Sequence, residues 1–476
     1  MPPFSVTTPI YYVNDVPHIG HAYTTIAGDV LARWRRLWGD EVFFLTGTDE
    51  HGLKMAQAAE AQGLTPKDWA DRTSERFREA WKELRISNDD FIRTTEPRHY
   101  AAVQEMLQKV YDNGDIELST YEGLYCVACE AYYTEDELVD GNCPIHGRPV
   151  TRMQEENYFF KLSRYEQRLL EHYEAHPDAV QPETRRNEVL GFIRQGLQDF
   201  SISRTSISWG IPIPWNPKHV AYVWFDALIN YCTAMGYGSD RERFDHFWPV
   251  DYHLVGKDIL RFHAVYWPAI LLSAGLPVPD VILAHGFVTA DGRKISKSLG
   301  NTVDPYSLVD EFGVDAVRHF LLRHIRTTED GDFTRERLLR ARDADLADQL
   351  GNLVSRVVSM VARYLAGVVP AVESPARDLA REVDEALARF ETHDALAAIW
   401  RVVEDANRSV VRTKPWELAR DADPRLPSVL GSLCASIRLV GAELEPFLPR
   451  TGAEILARVP APGGSVIAGD PLFPKS

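Results

Sequence analysis

The sequence predicts an α/β protein whose doubly wound parallel sheet is followed by a bundle of α-helices. Strand-like apolar runs alternate with helical periodicity near the N-terminus and again from about residue 223, as in a parallel sheet covered by helices. Residues 116–222 interrupt this alternation and are predicted to form an insertion. After about residue 335 the strand pattern stops, and long segments rich in Ala, Leu and Arg predict the helical bundle.

The individual elements follow from local patterns. The predicted strands lie at 4–9, 41–45, 253–255 and 281–284, and the predicted helices after the first lie at 257–272, 335–366, 379–392, 395–411 and 430–447. A helix with one apolar face separates the first two strands, and a turn-rich segment, TGTDEHG at 46–52, follows the second. Proline at the first helical position, in Thr65-Pro66 and in Glu96-Pro97, begins two more helices.

Length and composition bound the class of protein. The chain has 476 residues, a length typical of about two to four domains. It has no apolar run of about 18 residues and no secretory pattern at its N-terminus, so we expect a cytoplasmic protein without a membrane span. A net charge of −17 argues against a nucleic-acid partner unless a local basic face provides the contact. Residues 318–342, with seven arginines and four acidic residues, are either such an RNA-backbone face or a solvated helix.

A first motif, HIGH at 18–21, predicts a site for nucleotide phosphates. His18 and His21 lie one helical turn apart, at the beginning of a helix, where anions are favoured. Gly20 leaves room for a flat ring to approach the backbone. Taken alone, such a short motif more often represents two hydrogen-bonded histidines at a helix cap.

A second motif, KISKS at 294–298, follows the turn Asp291-Gly292. Its two lysines can hold a triphosphate and its serines add donors; these residues are Lys294, Ser296, Lys297 and Ser298. Alone, the motif is also typical of a solvated basic loop. The two motifs together, on either side of an α/β region, resemble the signature of class I aminoacyl-tRNA synthetases.

Further segments resemble the methionyl-tRNA synthetases of bacteria. They are TTPIYYVNDVPHIGH at 7–21, GTDEHG at 47–52, VWFDAL at 223–228, GKDILRFH at 256–263 and HGF at 285–287. The similarity extends from residue 5 to at least residue 416. Isoleucine replaces the methionine that is common in the second motif, a change that leaves the charges of the loop intact.

The resemblance implies a reaction and an organisation. We expect L-methionine to react with ATP, accompanied by Mg²⁺, and the methionyl-adenylate to acylate the initiator and elongator methionine tRNAs. His18, His21, Lys294 and Lys297 would be the catalytic residues. The expected domains are a Rossmann-like catalytic domain in two halves at 1–115 and 223–285, the insertion at 116–222, a stem-contact region at 286–345 and an anticodon-binding domain at 346–476. We expect a monomer.

A cysteine cluster in the insertion predicts a metal site. Cys126, Cys129, Cys143 and His146 follow the spacing of two knuckles and offer three thiolates and one imidazole. This closed tetrahedral set suits one structural zinc ion; buried free cysteines are the alternative. The family's insertion often carries four cysteines, and His146 stands where the fourth would be. Cys232 and Cys434 are expected to be packing residues.

The resemblance also implies a methionine site. The matching residues provide an apolar wall, rings and donors: Ile10, Tyr12, Asp49, Trp224, Ala227, Leu228, Tyr231, Ile259 and His263. Asp49 is the natural partner for the substrate ammonium, and polarizable thioethers favour contacts with aromatic rings. Core packing is the alternative for Trp224, Tyr231 and Ile259.

Three residues of the helical part are candidates for anticodon binding. Asn352 and Arg356 share a helix face, and Trp416 can stack on a base, as an unstacked RNA loop requires. The resemblance assigns the CAU anticodon to these positions, whereas a helix cap and a core tryptophan are the alternative.

Three other functions are the alternatives to this interpretation. Another class I synthetase with an editing domain needs a larger insertion than 116–222. A small-molecule adenylyltransferase needs no helical anticodon reader. A non-catalytic tRNA-binding paralogue is the rival of a different class, and the intact HIGH and KISKS motifs argue against it.

Overall fold

The computed structural model describes residues 2–126, 131–133, 135–145, 147–295 and 301–474. The strands are β1 Pro3–Tyr12, β2 Glu41–Asp49, β3 Asp90–Arg93, β4 Ile116–Cys126, β5 Ala131–Tyr133, β6 Thr151–Phe160, β7 Val180–Gln181, β8 Phe200–Ser201, β9 Ser203–Arg204, β10 Pro212–Ile213, β11 Asn216–Ala221, β12 Tyr252–Gly256, β13 Val281–His285, β14 Val288–Ala290, β15 Arg293–Lys294 and β16 Gly331–Phe333.

The α-helices are distributed along the whole chain. They are α1 Ile19–Leu37, α2 Leu53–Glu60, α3 Pro66–Glu83, α4 Pro97–Asp112, α5 Glu166–Ala175, α6 Glu183–Arg194, α7 Val223–Leu228, α8 Asn230–Met235, α9 Arg241–Phe247, α10 Trp267–Ser273, α11 Pro305–Phe312, α12 Val314–Arg323, α13 Arg335–Ala341, α14 Asn352–Tyr364, α15 Leu379–Ala388, α16 Thr392–Thr413, α17 Pro415–Arg420, α18 Leu426–Leu444 and α19 Pro449–Arg458. Two π-helical segments, Phe262–Tyr266 and Arg342–Gly351, add to them.

The chain divides into two compact units. The first comprises Met1–Pro17, Arg35–Ala80 and Ser87–His285, and the second comprises His18–Trp34, Trp81–Ile86 and Gly286–Ser476. No helix in the described ranges has the length and hydrophobicity that a transmembrane span requires.

The first unit contains the predicted parallel sheet. Its strand order is β3-β2-β1-β12-β13-β7, and every neighbouring pair is parallel. A continuous core of buried aliphatic and aromatic side chains fills this unit. The doubly wound fold class is thereby confirmed, and the carboxyl ends of β1, β2 and β12 lie at one edge, where ligands bind in such sheets.

The turn predicted at 46–49 is wrong, because these residues continue β2. Gly47 pairs with Ile92 of β3, and a Cβ built on Gly47 would lie 2.1 Å from the Ile92 carbonyl oxygen. The glycine therefore serves the close approach of two strands rather than a turn.

The residues predicted to form the insertion have two kinds of structure. Their antiparallel strands form the sheet β5-β4-β6-β8 and the sheet β10-β11-β9. β7, however, is the edge strand of the parallel sheet, where it pairs with β13. The chain thus contributes one strand to the parallel sheet from within 116–222.

Three of the predicted long helices have a different course. The segment predicted at 257–272 consists of a 3₁₀ turn, the π-helical segment Phe262–Tyr266 and α10. The segment predicted at 335–366 consists of α13, the π-helical segment Arg342–Gly351 and α14. The helix predicted at 379–392 ends at Ala388, because Phe390 takes a positive φ of 61° and starts the turn into α16.

The second unit contains the helical bundle. Helices α15, α16, α18 and α19 pack against one another in sequence, and α14 packs against α18. Its small sheet, β15-β14-β16, carries the start of the KISKS motif. The helical prediction for the C-terminal part is confirmed.

The basic face predicted at 318–342 is wrong for two of its arginines. Arg318 is fully buried, and its guanidinium lies 2.8 Å from the Asp29 carboxylate. Arg342 is also buried and pairs with Asp343 at 3.0 Å. The Arg318 charge is used inside the protein, and the Arg342 side chain is only 10% exposed beside the 36% exposed Asp343, so neither arginine belongs to an exposed basic face.

Candidate active site

The ends of β1 and β2 carry two of the predicted methionine-site residues. Tyr12 and Asp49 are the last residues of these strands and are paired across them. The side chain of Asp49 is 3% exposed. Because the parallel strands end at the same edge, an aromatic ring and a carboxylate come together there without any long-range packing.

A buried hydrogen bond joins Tyr231 of α8 to His263 of the Phe262–Tyr266 segment. The Tyr231 hydroxyl lies 2.8 Å from His263 Nε2, and His263 Nδ1 lies 3.0 Å from the Ile259 carbonyl oxygen. Burial lowers the pKa of His263 to about 4, so the ring is neutral. Nδ1–H therefore donates to Ile259, and Nε2 accepts from Tyr231.

Trp224 of α7 lies between two other rings. It stacks on Phe262 at 3.7 Å between centroids and meets Tyr12 edge-on at 6.2 Å. Its indole Nε1 is buried and has no hydrogen-bond partner among the described residues. A buried N–H without a partner is a donor that a bound ligand can satisfy.

The remaining residues form apolar wall. Leu228 belongs to the buried core, Ile10 and Ile259 are half-buried against it, and Ala227 is buried on α7. The structure therefore brings together Tyr12 with Asp49 and Trp224, and Tyr231 with Ile259 and His263. Phe262 also belongs to this group of rings, because it stacks on Trp224. It lies in the GKDILRFH segment, but nothing in that segment marked it as a site residue.

A carboxylate bridge in the same unit was not predicted. Asp226 is fully buried on α7; its Oδ2 lies 2.6 Å from His51 Nδ1 and its Oδ1 lies 2.7 Å from His99 Nε2. Burial alone would raise the pKa of Asp226, but His51 and His99 outweigh it and lower the pKa. The bridge ties α7 to the residues that follow Asp49 and to α4.

The sequence pointed to only two of the three residues of this bridge. His51 and Asp226 stand in the quoted GTDEHG and VWFDAL segments, but nothing in either segment shows that they meet. His99 lies on α4, outside every quoted segment.

The HIGH motif lies at the beginning of α1, in the second unit. The rings of His18 and His21 are stacked with centroids 3.7 Å apart. The Gly20 amide donates to His18 Nδ1 at 3.1 Å and the His18 amide donates to His21 Nδ1 at 3.3 Å. Both Nδ1 atoms are acceptors, so the ring hydrogen of each imidazole is on Nε2.

Burial and the neighbouring ring set the charge of His21. Burial lowers its pKa well below the usual value, and His18 lowers it further. A Cβ on residue 20 would lie 3.0 Å from His18 Cε1, so a larger residue there would have to displace the His18 ring by a few tenths of an ångström. His21 therefore offers a neutral N–H donor rather than an imidazolium charge.

The KISKS motif begins on a hairpin. Asp291 and Gly292 both take positive φ, 52° and 70°, as in a tight turn between β14 and β15. Lys294 ends β15, whereas Ser296, Lys297 and Ser298 lie outside the described residues.

Two of the four predicted zinc ligands are described. Cys126 ends β4 and Cys143 lies in the same unit, each 1% exposed. A tight turn follows Cys143, where the Gly147 amide donates to the Cys143 carbonyl at 2.8 Å. Cys129 and His146 lie outside the described ranges. Cys232 and Cys434 are buried, as expected of packing residues.

The anticodon candidates lie on two helices of the second unit. Asn352 is exposed at the first position of α14, Arg356 is half-buried one turn later, and Trp416 on α17 is 42% exposed. An open pocket of about 360 Å³ is lined by Arg356, Asn407, Arg408, Val411 and Arg412. The last four residues belong to α16 and were not predicted.

Known proteins resemble this chain along its length. The profile described as tRNA synthetases class I (M) matches residues 4–152 and 145–358. The methionine–tRNA ligase of Caldanaerobacter subterraneus is 48% identical over 94% of this chain and 72% of its own length. That of Streptomyces coelicolor is 48% identical over 95% of this chain and 88% of its own length. The chain belongs to the methionyl-tRNA synthetase family.

Solved structures agree with this membership. The Mycobacterium tuberculosis methionyl-tRNA synthetase in complex with methionyl-adenylate has a TM-score of 0.96 and 43% identity, over 100% of both chains. The apo form of the same enzyme has a TM-score of 0.89. As a member of the family, the chain is a class I aminoacyl-tRNA synthetase, an enzyme whose substrates are methionine, ATP and tRNA.

Proposed function

We propose that the chain activates L-methionine with ATP and transfers it to the initiator and elongator methionine tRNAs. In the first step a methionine carboxylate oxygen attacks the α-phosphate, and pyrophosphate leaves. In the second step the terminal ribose hydroxyl of tRNA attacks the carbonyl of methionyl-adenylate, and AMP leaves. The observation that carries this proposal is the assembly of Asp49, Tyr12 and Trp224 at the carboxyl edge of the sheet.

Methionine fits that assembly chemically. Asp49 offers the carboxylate for its ammonium, and the rings of Tyr12 and Trp224 offer polarizable surfaces for its thioether. The neutral pair of Tyr231 and His263 adds polar atoms without a competing charge. Ile10, Ala227, Leu228 and Ile259 complete the apolar wall.

ATP is assigned to the two signature motifs. The Nε2–H groups of His18 and His21 would donate to phosphate oxygens, and Lys294 and Lys297 would hold the pyrophosphate. Gly20, Ser296 and Ser298 complete the proposed ATP site. Mg²⁺ accompanies ATP and neutralises part of its charge.

Zinc is proposed as a structural ion of the insertion. Cys126, Cys129, Cys143 and His146 would hold it, and it would tie the turn after Cys143 to the end of β4. The burial of Cys126 and Cys143 and the tight turn at Gly147 support this assignment. The closed donor set leaves no position for a substrate.

We propose that Asn352, Arg356 and Trp416 bind the anticodon; the pocket on α14 and α16 supports the assignment of Arg356, which lines it, and the other two residues rest on the family resemblance. Three arginines, Arg356, Arg408 and Arg412, line the pocket beside the exposed Val411, which suits an unstacked base and its phosphate.

We further propose that the enzyme works as a cytoplasmic monomer with the domain boundaries predicted from the sequence.

ATP–pyrophosphate exchange with each of the twenty amino acids, without tRNA, tests the activation step. We expect exchange with methionine alone, because a polarizable wall and a single carboxylate match its side chain and ammonium. Exchange with another amino acid would keep the class I mechanism and reject the pocket assignment. Absence of exchange from folded protein would favour the tRNA-binding paralogue.

A Trp416→Ala variant tests the anticodon assignment. Loss of one stacking platform is worth about 1–3 kcal/mol, so kcat/KM for tRNA should fall about 5- to 150-fold while methionine exchange stays unchanged. Aminoacylation and exchange assays measure both. Trp38→Ala, which removes another exposed tryptophan at 61% exposure, is the matched control. Equal tRNA kinetics for the two variants would contradict the assignment.

A further inference from the structure

A second cluster of metal-ligating side chains lies in the second unit, away from the cysteines. It consists of His319 on α12, His324 directly after α12, and Asp345 in the π-helical segment Arg342–Gly351. One ligand atom from each lies within 4.8 Å of the others. The side chains are 0%, 33% and 14% exposed, so the cluster opens to solvent on the side of His324.

The most buried member of the cluster, His319, has no hydrogen-bond partner for either ring nitrogen among the described residues. Its Nε2 lies 3.5 Å from Asp345 Oδ2. Leaving a buried polar group unsatisfied costs about 1–3 kcal/mol. A ring nitrogen that carries no hydrogen has a lone pair, which a metal ion can accept.

The two distances from the histidines to Asp345 fit a tetrahedral ion. Ligand atoms about 2.0–2.1 Å from zinc are about 3.3 Å from one another. The Nε2 atoms of His319 and His324 lie 3.5 and 3.1 Å from Asp345 Oδ2. Two imidazoles and one carboxylate are a borderline-soft donor set with room for a water as fourth ligand, which favours zinc over magnesium.

The backbone of the Arg342–Gly351 segment, which carries Asp345, is π-helical. π-Helical turns are rare and occur often at functional sites, and this one is 10 residues long before it continues as α14. We propose that His319, His324 and Asp345 form a second zinc site, which fastens α12 to the Arg342–Gly351 segment. The site is independent of the cysteine cluster and of the proposed reaction.

Arg323 lies beside the proposed zinc ligands. Its Nε lies 3.3 Å from the same Asp345 oxygen, and its guanidinium packs on Trp400 at 4.8 Å from the ring centroid. A cation there competes with a metal for the carboxylate. Arg323→Gln should therefore raise zinc affinity by at least about fivefold, the factor that one unit charge about 4 Å away contributes in water-like surroundings.

The experiment compares zinc binding by the full chain and its variants. Protein is dialysed against buffered Zn²⁺, and bound zinc is measured by plasma emission together with the melting temperature. We expect His324→Gln and Asp345→Asn to lose one zinc per chain and to weaken binding at this site by about 100-fold. Asp343→Asn, which removes the same charge from the same segment, is the control and should keep the wild-type zinc content.

Several results would overturn the proposal. Equal zinc content in the wild type and in both ligand variants would leave an ordered water as the partner of His319. Stabilisation by Mg²⁺ equal to that by Zn²⁺ would show a non-specific cation effect. Weaker zinc binding in Arg323→Gln would show that the arginine maintains a hydrogen-bond network there. Because the cysteines give thiolate charge-transfer absorption with Co²⁺ and this cluster contains no sulfur, cobalt spectra distinguish the two sites.

Discussion

An Asp226→Asn variant should lose about 3 kcal/mol of its free energy of unfolding and show a KM for methionine about tenfold higher. The carboxylate accepts hydrogen bonds from His51 and His99 inside the core. An amide offers one acceptor and one donor, so one histidine must change its tautomer or face a second donor. Denaturant unfolding and methionine-dependent pyrophosphate exchange measure the two effects.

The kinetic effect should be selective. Asp226 lies between Trp224 and Ala227 on α7, and His51 lies two residues after Asp49, so the bridge positions both sides of the proposed methionine site. KM for methionine should therefore rise while KM for ATP stays close to the wild-type value. Equal changes in both would indicate general loss of structure rather than positioning.

The pH dependence of this contribution has a definite sign. Because the pKa of Asp226 is lowered in the folded state, its stabilisation is complete above its unfolded pKa of about 3.9 and is lost as the pH falls through the folded value. The difference between wild type and variant should thus be constant at neutral pH. Asp245→Asn, which breaks an exposed pair with Arg241, is the control and should cost less than about 1 kcal/mol.

An Arg318→Met variant should lose about 3–5 kcal/mol of its free energy of unfolding. The buried guanidinium pairs with Asp29 and donates to the carbonyl oxygens of Leu84, Pro446 and Phe447 at 3.1, 3.0 and 2.7 Å. Methionine fills similar space but satisfies none of these acceptors, so a buried carboxylate and three carbonyls lose a donor. Denaturant titration measures the loss.

Two comparisons define the origin of this loss. Arg340→Met breaks an exposed pair with Glu336, in which the side chains are 75% and 72% exposed, and should cost less than about 1 kcal/mol. A double variant, Asp29→Leu with Arg318→Met, should recover part of the stability, because the fully buried carboxylate and guanidinium are removed together. Arg33, which also pairs with Asp29 at 2.8 Å, is 23% exposed and can be solvated after the carboxylate is removed. Unchanged stability with weaker tRNA binding would instead return Arg318 to the RNA-facing surface.

Much of the fold could be predicted because its signals are local. Period-2 and period-3.6 patterns identified β1, α1, β12, β13 and the helical bundle, and Pro66 and Pro97 marked the starts of α3 and α4 correctly. Motif spacing also grouped the candidate residues, since the ends of neighbouring parallel strands meet at one edge. Tyr12 and Asp49 meet there for that reason.

Other features depend on partners that are distant in the sequence. The apolar pattern at 335–366 does not distinguish an α-helix from a segment with a π-helical middle, because both keep a similar buried face. A run of arginines does not show which of them find a buried carboxylate. Arg318 and Arg340 lie in the same arginine-rich stretch, 318–342, but have opposite environments.

The sequence by itself determined the family, the parallel sheet with its helical bundle, and the identity of the candidate site residues, because short patterns and motif order carry that information. Only the tertiary structure decided that Gly47 serves strand contact, that Asp226 bridges two histidines, and that His319 meets Asp345. These contacts join residues 26 to 175 positions apart. Their energies depend on burial and distance, which exist only after the chain has folded.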